Sequence, residues 1–210
     1  MRLYVLNCGG VKKMQTLNAV KLAQKLLLEK VNKAQCTVDA TAGNGKDTLF
    51  LAKNSSKDAV VWSFDIQEAA MIATRQLLSN HNLSDKVKLV VDSHANIDCY
   101  IAGQIDVAMF NLGYLPNADH SITTEEQTTI AALHKILGLL SIGGMITLVA
   151  YSGHQKGYWE QKAVQELFTS LPGELFTVGC WSMINHSNNP PILYVVEKTR
   201  GEAYEIVASH

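Results

Sequence analysis

Residues 38–48 read Val-Asp-Ala-Thr-Ala-Gly-Asn-Gly-Lys-Asp-Thr. The apolar, β-branched lead-in at Cys36, Thr37 and Val38 predicts a buried strand, and Asp47 to Ala52 reads as the start of a helix. Between them Gly43 and Gly45 supply a tight turn in which backbone approaches a ligand with no Cβ in the way. A P-loop is excluded, because its glycines stand four residues apart and its lysine is followed directly by Ser or Thr. Here the glycines are one residue apart and Asp47 separates Lys46 from Thr48. A dinucleotide fingerprint fails as well, since its third glycine falls on Thr48.

Charge narrows the ligand further. Asp47 sits in the first helical turn, where a pyrophosphate would dock against the positive helix end. A carboxylate there opposes phosphate and suits a cationic, phosphate-free nucleoside. S-adenosylmethionine, with its sulfonium and ammonium groups, has that chemistry. Asp39 adds a second carboxylate at the strand end, so Asp39, Thr41, Gly43, Asn44, Gly45, Asp47 and Thr48 form the candidate cofactor loop. A plain strand-turn-helix with a capping Asp is the structural alternative.

Outward from this turn, strand and helix signals alternate. A helix is predicted over residues 17–31, with Leu17, Val20, Leu27 and Val31 on one side. Residues 60–64 form a strand ending at Asp65, followed by a helix through Ala69, Ile72, Ala73 and Leu77. Residues 87–91 lead to Asp92, Ser93 and His94, and residues 105–110 lead to Asn111. A long helix over 124–140 has capping-box spacing at Thr123 and Glu126, and Gly143 and Gly144 separate it from a strand over 145–151. A helix over 158–170 and strands over 175–181 and 193–197 complete the chain. Such alternation predicts an α/β, doubly wound, Rossmann-like fold with a seven-stranded, mostly parallel sheet. Ending on two strands with no helix between them makes the last strand antiparallel, the arrangement of class I S-adenosylmethionine-dependent methyltransferases.

At 210 residues the chain reads as a single domain over 1–210. Hydrophobic content of 47% against 18% charged describes a soluble globular protein, with no membrane-spanning run and no signal peptide. Cys8, Cys36, Cys99 and Cys180 are scattered without a Cys-x-x-Cys pair, which predicts reduced thiols, a cytoplasmic location and no metal site. The net charge of −1 hides an asymmetry: residues 1–33 carry seven basic side chains against Glu29 alone, a balance of +6, so the rest carries −7. That basic N-terminal helical segment suits a phosphate backbone, although a solvated lysine face would look the same.

Ligands of open α/β sheets bind beyond the carboxyl ends of the strands. Asp65 follows Gly45 by twenty residues, the spacing of an acid that accepts ribose hydroxyls, and Gln67 adjoins it. Asp92, Ser93 and His94 are placed for an adenine amino group. Phe110-Asn-Leu-Gly-Tyr-Leu-Pro116 follows the fourth strand and is similar to the Asn-Pro-Pro-Tyr loop of amino-methylating enzymes, with Asn111 and Tyr114 in the Asn and Tyr positions and Leu112-Gly113 replacing Pro-Pro. Asn189-Pro190-Pro191 precedes the last strand and is assigned to loop shaping, while Asn185, His186 and Asn188 leave the sixth strand at the active edge.

Together, residues 38–52, Phe64-Asp-Ile-Gln67, Asp92-Ser-His94, residues 109–116 and Tyr151-Ser-Gly-His154 resemble the bacterial family long labelled rRNA methylases, the YtqB or MnmM type. The similarity runs from about residue 14 onward and departs at Lys46, where a His is expected. The resemblance implies S-adenosylmethionine as cofactor and methylation of the aminomethyl group of wobble-position aminomethyl-(thio)uridine in tRNA, with the anticodon stem-loop gripped by the basic first helix and the protein a homodimer. Asn111 and a loop carbonyl would orient the amine, Tyr114 would stack on the uracil, and Gly113, Asp119, His120 and His154 would border the substrate. Methylation of rRNA, methylation of a small-molecule or protein amine, and an inactive RNA-binding module are the alternatives.

Overall fold

Helix α1 (Ala19–Val31) starts where the Asn18 side chain accepts the Lys21 amide at 2.8 Å. Its buried ridge is Ala19, Ala23, Leu27 and Val31, spaced by four, and it packs against the strands that follow. Of the expected stripe, Leu27 and Val31 hold and Val20 is half-buried. The two alanines were not foreseen; their small side chains let the helix lie close on the sheet. The computed structural model describes residues 18–113, 124–153 and 155–201, so Leu17 and the chain before it lie outside the described residues.

Seven strands, β1 (Cys36–Asp39), β2 (Val60–Asp65), β3 (Val87–Val91), β4 (Ile105–Asn111), β5 (Leu140–Ala150), β6 (Phe176–Trp181) and β7 (Ile192–Lys198), form one sheet in the order β3-β2-β1-β4-β5-β7-β6. Pairings from β3 across to β5 are parallel, and β7 is antiparallel to both β5 and β6. The expected fold class and antiparallel last strand are both present. Because side chains alternate along a strand, Ala108 and Phe110 of β4 join Val38, Phe64 and Leu148 under α4 (Glu126–Leu139) and α5 (Gln155–Ser170). Val107 and Met109 point the other way, into a core shared with Leu27, Leu51 of α2 (Lys46–Asn54) and Leu78 of α3 (Glu68–Ser79). Order reverses between β1 and β4, and the crevice above their carboxyl ends is where such a sheet takes ligand.

Several local expectations are corrected. Helix α3 buries Ala70, Met71, Thr74 and Leu78, while Ile72 is 58% exposed and Ala69 and Ala73 face solvent. Two apolar stripes lie side by side on this helix. The one that turns inward is fixed by Thr74, which donates to the Gly43 carbonyl at 3.2 Å. Gly143 and Gly144 do not separate α4 from β5; pairing begins at Leu140, and the glycines lie inside the strand. Ile105 pairs with Leu140 and Val107 with Met145, so the extra residues bulge out. The bulge holds Gly143 at φ 69°, and a Cβ on Gly144 would meet the Ser141 carbonyl at 2.7 Å. Helix α4 begins at Glu126 with Glu125 in the capping position and no side-chain cap bond; Thr123 lies outside the described residues. Helix α5 begins three residues earlier than expected, at Gln155. Among the described residues no helix is long and apolar enough to cross a membrane.

Candidate cofactor and substrate site

The loop after β1 is held from three sides. The Ala40 amide donates to the Met109 carbonyl and the Ala42 amide to the Phe64 carbonyl, both at 2.9 Å, which ties the loop to β4 and β2. The Gly43 amide donates to Asp65 Oδ2 at 2.9 Å, and Thr74 anchors the Gly43 carbonyl from α3. Gly43 and Gly45 take φ of 51° and 75°, the left-handed region that disfavours a side chain. Gly45 also faces Thr74 so closely that a Cβ would lie 2.8 Å from its Oγ1 and 3.0 Å from its Cα.

A cavity of about 530 Å³ opens above this loop. Thr41, Gly43, Asn44, Asp47, Asp65, Gln67, Asp92, Ser93, His94, Asn111 and Gly113 all line it. The sequence had singled out each of them. Asp39, Gly45 and Thr48 do not line it and are corrected to supporting positions. Asp39 is buried beneath the loop, where it accepts the Thr41 amide at 3.1 Å and the Thr48 hydroxyl at 2.6 Å; Thr48 in turn meets Ser63 Oγ at 2.8 Å. The strand-end carboxylate turns inward because those donors would otherwise be buried without partners. Tyr114, Asp119, His120 and His154 lie outside the described residues. Asn185, His186 and Asn188 are exposed and do not line the cavity, and Asn189 at φ 42° shapes its loop as expected.

Sequence reasoning missed Phe64, Ile66, Lys46, Thr124, Glu125 and Thr128 as lining residues. Phe64 and Ile66 flank Asp65 and were within reach of a neighbour argument. The three α4-proximal residues were not, because nothing local says that the start of this helix leans over the end of β4.

Four carboxylates, Asp47, Asp65, Asp92 and Glu125, line the cavity against one lysine, Lys46. Asp47 accepts Gln24 Nε2 of α1 at 2.7 Å; burial raises its pKa, which Gln24 and Lys46 oppose. Asp39 is pushed up to about 7, by burial first and then by the charge of Asp47. Asp92 is held below the usual carboxylate range by the Tyr100 hydroxyl at 2.8 Å, Asn96 and the Ser93 amide. Burial lowers the pKa of His94 and keeps its ring neutral near pH 7. Its Nδ1 lies 2.9 Å from the Ala40 carbonyl and therefore carries the hydrogen, leaving buried Nε2 as an acceptor with no partner among the described residues. An acidic cavity of this size repels polyphosphate and suits a cationic nucleoside.

The raised Asp39 carries a stability consequence. Its folded-state pKa lies above the unfolded value, so between about pH 4 and pH 7 the native state holds a proton that the unfolded chain has released. That stabilisation is complete below the unfolded value and is lost as pH rises through about 7. Thermal melts of the ligand-free protein at pH 5 and pH 8 are expected to show a fall in Tm that Asp39→Asn reduces. An equal fall in the variant would contradict the assignment.

At the far wall, the Asn111 amide donates to Thr41 Oγ1 at 2.7 Å, while its side-chain Oδ1 is buried without a partner among the described residues. Gly113, at φ 141°, exchanges two bonds with Thr124: its amide donates to Thr124 Oγ1 and its carbonyl accepts the Thr124 amide, both at 3.1 Å. Tyr151 closes the same corner. Its ring lies 3.8 Å from where a Gly113 Cβ would stand, and burial and the Asp47 charge raise its hydroxyl pKa.

Known proteins resemble this chain in sequence and in fold. A tRNA (mnm(5)s(2)U34)-methyltransferase of Arabidopsis thaliana chloroplasts is 32% identical over 190 residues, covering 86% of this chain and 69% of its own. A putative rRNA-methylase structure from Clostridium thermocellum is 41% identical with a TM-score of 0.85, covering 88% of this chain and 100% of its own. SMU.1697c of Streptococcus mutans, a putative methyltransferase solved in complex with SAH, is 36% identical with a TM-score of 0.80 over 88% of this chain and 99% of its own. With residues 61–197 matching the model of the family described as "Putative rRNA methylase", the chain belongs to that family.

Proposed function

We propose that this protein is an S-adenosylmethionine-dependent N-methyltransferase acting on the aminomethyl group of wobble-position aminomethyl-(thio)uridine in tRNA. The observation that carries the reading is Asn111: a buried amide oxygen without a partner among the described residues, on the wall of an acidic cavity, after the fourth strand. Support for tRNA comes from the plant relative, whose name specifies that substrate. The cavity fits the cofactor. Asp65 and Gln67 would take the ribose, Asp92, Ser93 and His94 Nε2 the adenine, and Asp47 the cationic end.

When bound, S-adenosylmethionine supplies an electrophilic methyl group; the amine lone pair forms the new N–C bond as the C–S bond breaks, its electron pair passing to sulfur. Asn111 Oδ1 accepts a hydrogen from the neutral amine and aims its lone pair, a positioning effect. Carboxylates around Asp47 favour the sulfonium charge before transfer. The excess proton of the methylated amine leaves to water. Nucleoside mass spectrometry of tRNA incubated with the protein and methyl-labelled cofactor is expected to find label in methylaminomethyl-(thio)uridine. Label elsewhere, or none, rejects the substrate.

Proton linkage gives a second check. Since Asp39 titrates at about 7 in the ligand-free protein, a cation bound above it favours the ionised form. Cofactor affinity is therefore expected to rise about tenfold from pH 6 to pH 8, with proton uptake absent and proton release seen by calorimetry in two buffers. A flat profile would contradict it.

Gln24 of α1 bonds Asp47 of the cavity wall, and Lys21 and Lys25 of the same helix are exposed. This supports a grip on the anticodon stem-loop. Lys21→Glu and Lys25→Glu are each expected to weaken tRNA binding and to lower the salt slope by about 0.9 per lost phosphate contact. Unchanged slopes would move the RNA elsewhere. The exposed Tyr158, Trp159 and Ile184 are apolar surface that a second copy would cover, which supports a homodimer. Sedimentation at micromolar concentration tests it.

A further inference from the structure

Glu160 lies in the middle of α5 and is 4% exposed, an uncommon place for a carboxylate. Its Oε2 accepts the Thr124 hydroxyl at 2.7 Å and its Oε1 accepts the Thr129 hydroxyl at 2.7 Å. Thr124 is the residue that exchanges two bonds with Gly113, and the hydroxyl that donates to Glu160 is the same one that accepts the Gly113 amide. A continuous chain of hydrogen bonds thus runs from α5 through the start of α4 to the backbone two residues beyond Asn111. Leu112 is fixed from the other side, its amide donating to the Val149 carbonyl of β5 at 2.9 Å. Thr129 is fully buried on the first turns of α4, so Glu160 grips both that helix and, at Thr124, the segment leading into it.

We infer that Glu160 is a positioning residue for methyl transfer: through Thr124 it fixes the backbone at Gly113 and so the aim of Asn111 into the cavity. The inference rests on the methyltransferase reading above and adds a part of the site that no strand-end motif contains. Small displacements of aligned groups cost rate far more than binding. Glu160→Ala is therefore expected to lower kcat about thirtyfold or more while KM and the cofactor Kd move less than about threefold. Glu160→Gln is expected to restore most of the loss, since its amide oxygen still accepts from Thr124 and its nitrogen donates to the Thr129 hydroxyl.

Thr124→Val provides a second variant that leaves Glu160 in place, and it should reproduce the kcat loss. The double variant should be no worse than either single one, because both cut the same chain. Amide exchange gives a readout that needs no substrate: Gly113 and Thr124 should exchange at least about tenfold faster in Glu160→Ala, with β5 amides unchanged. Unaltered exchange, additive losses, or a Gln variant as poor as Ala would overturn the inference. If the wild-type protein methylates no tRNA while exchange responds as expected, the substrate reading fails and the positioning role of Glu160 at this backbone stands.

Discussion

Asn111→Ala is expected to cut methyl transfer at least about a hundredfold while leaving S-adenosylmethionine affinity within about threefold. The side-chain oxygen is the one polar atom at the end of β4 that is buried without a partner among the described residues, so the variant removes no hydrogen bond of that oxygen. Deleting an unsatisfied buried acceptor does not destabilise, and the Tm of the variant should be equal to or slightly above wild type. The backbone bond from the Asn111 amide to Thr41 Oγ1 survives the substitution, so the neighbouring cofactor loop keeps its shape. Isothermal titration with the cofactor, single-turnover transfer to tRNA and a thermal melt check the three statements. A variant that supports wild-type wobble modification in cells would instead favour a non-catalytic RNA-binding module.

Gly45→Ala should be strongly damaging, because strain and crowding act together at this position. At φ 75° an alanine is strained by about 1 kcal/mol or more, before any contact is counted. The added carbon would also stand 2.8 Å from Thr74 Oγ1 and 3.0 Å from Thr74 Cα, and backbone cannot rotate away as a side-chain tip can. Either α2 or α3 must shift; α2 carries the cavity residues Lys46 and Asp47, and α3 follows directly on the cavity residue Gln67. A loss of about 2–4 kcal/mol in stability is expected, together with at least a tenfold drop in cofactor affinity. Thr74→Ala combined with Gly45→Ala should recover part of the stability, since it clears the hydroxyl and the methyl but leaves the backbone contact. Gly103→Ala is the control: an added Cβ there meets nothing within 4 Å, and its stability should hold. Equal melts for the two glycine variants would refute the close-packing account.

Much of the cavity lining was legible because strand-end residues need only their own strand to be placed. Once β1, β2, β3 and β4 are read as parallel neighbours, Thr41, Asp65, Asp92 and Asn111 fall on one edge without any knowledge of packing. The inward turn of Asp39 escaped notice because it depends on donors at Thr41 and Thr48 whose geometry the turn itself creates. The face of α3 escaped for a similar reason. Ala69, Ile72, Ala73 and Leu77 make as good a stripe as Ala70, Met71, Thr74 and Leu78, and periodicity alone cannot rank them.

By itself the sequence determined the kinds of elements, their alternation, the antiparallel ending and the acidic residues set beside the glycine turn. Those are properties of neighbouring residues, set by backbone sterics, side-chain period and local charge. Only the tertiary structure decided which carboxylates face the cavity and which brace its floor, that α4 supplies a wall, and that Glu160 reaches back to Gly113. Each of these joins residues far apart in the chain, and such pairings are fixed by the close packing of helices on the sheet, whose depth and rotation no local pattern encodes.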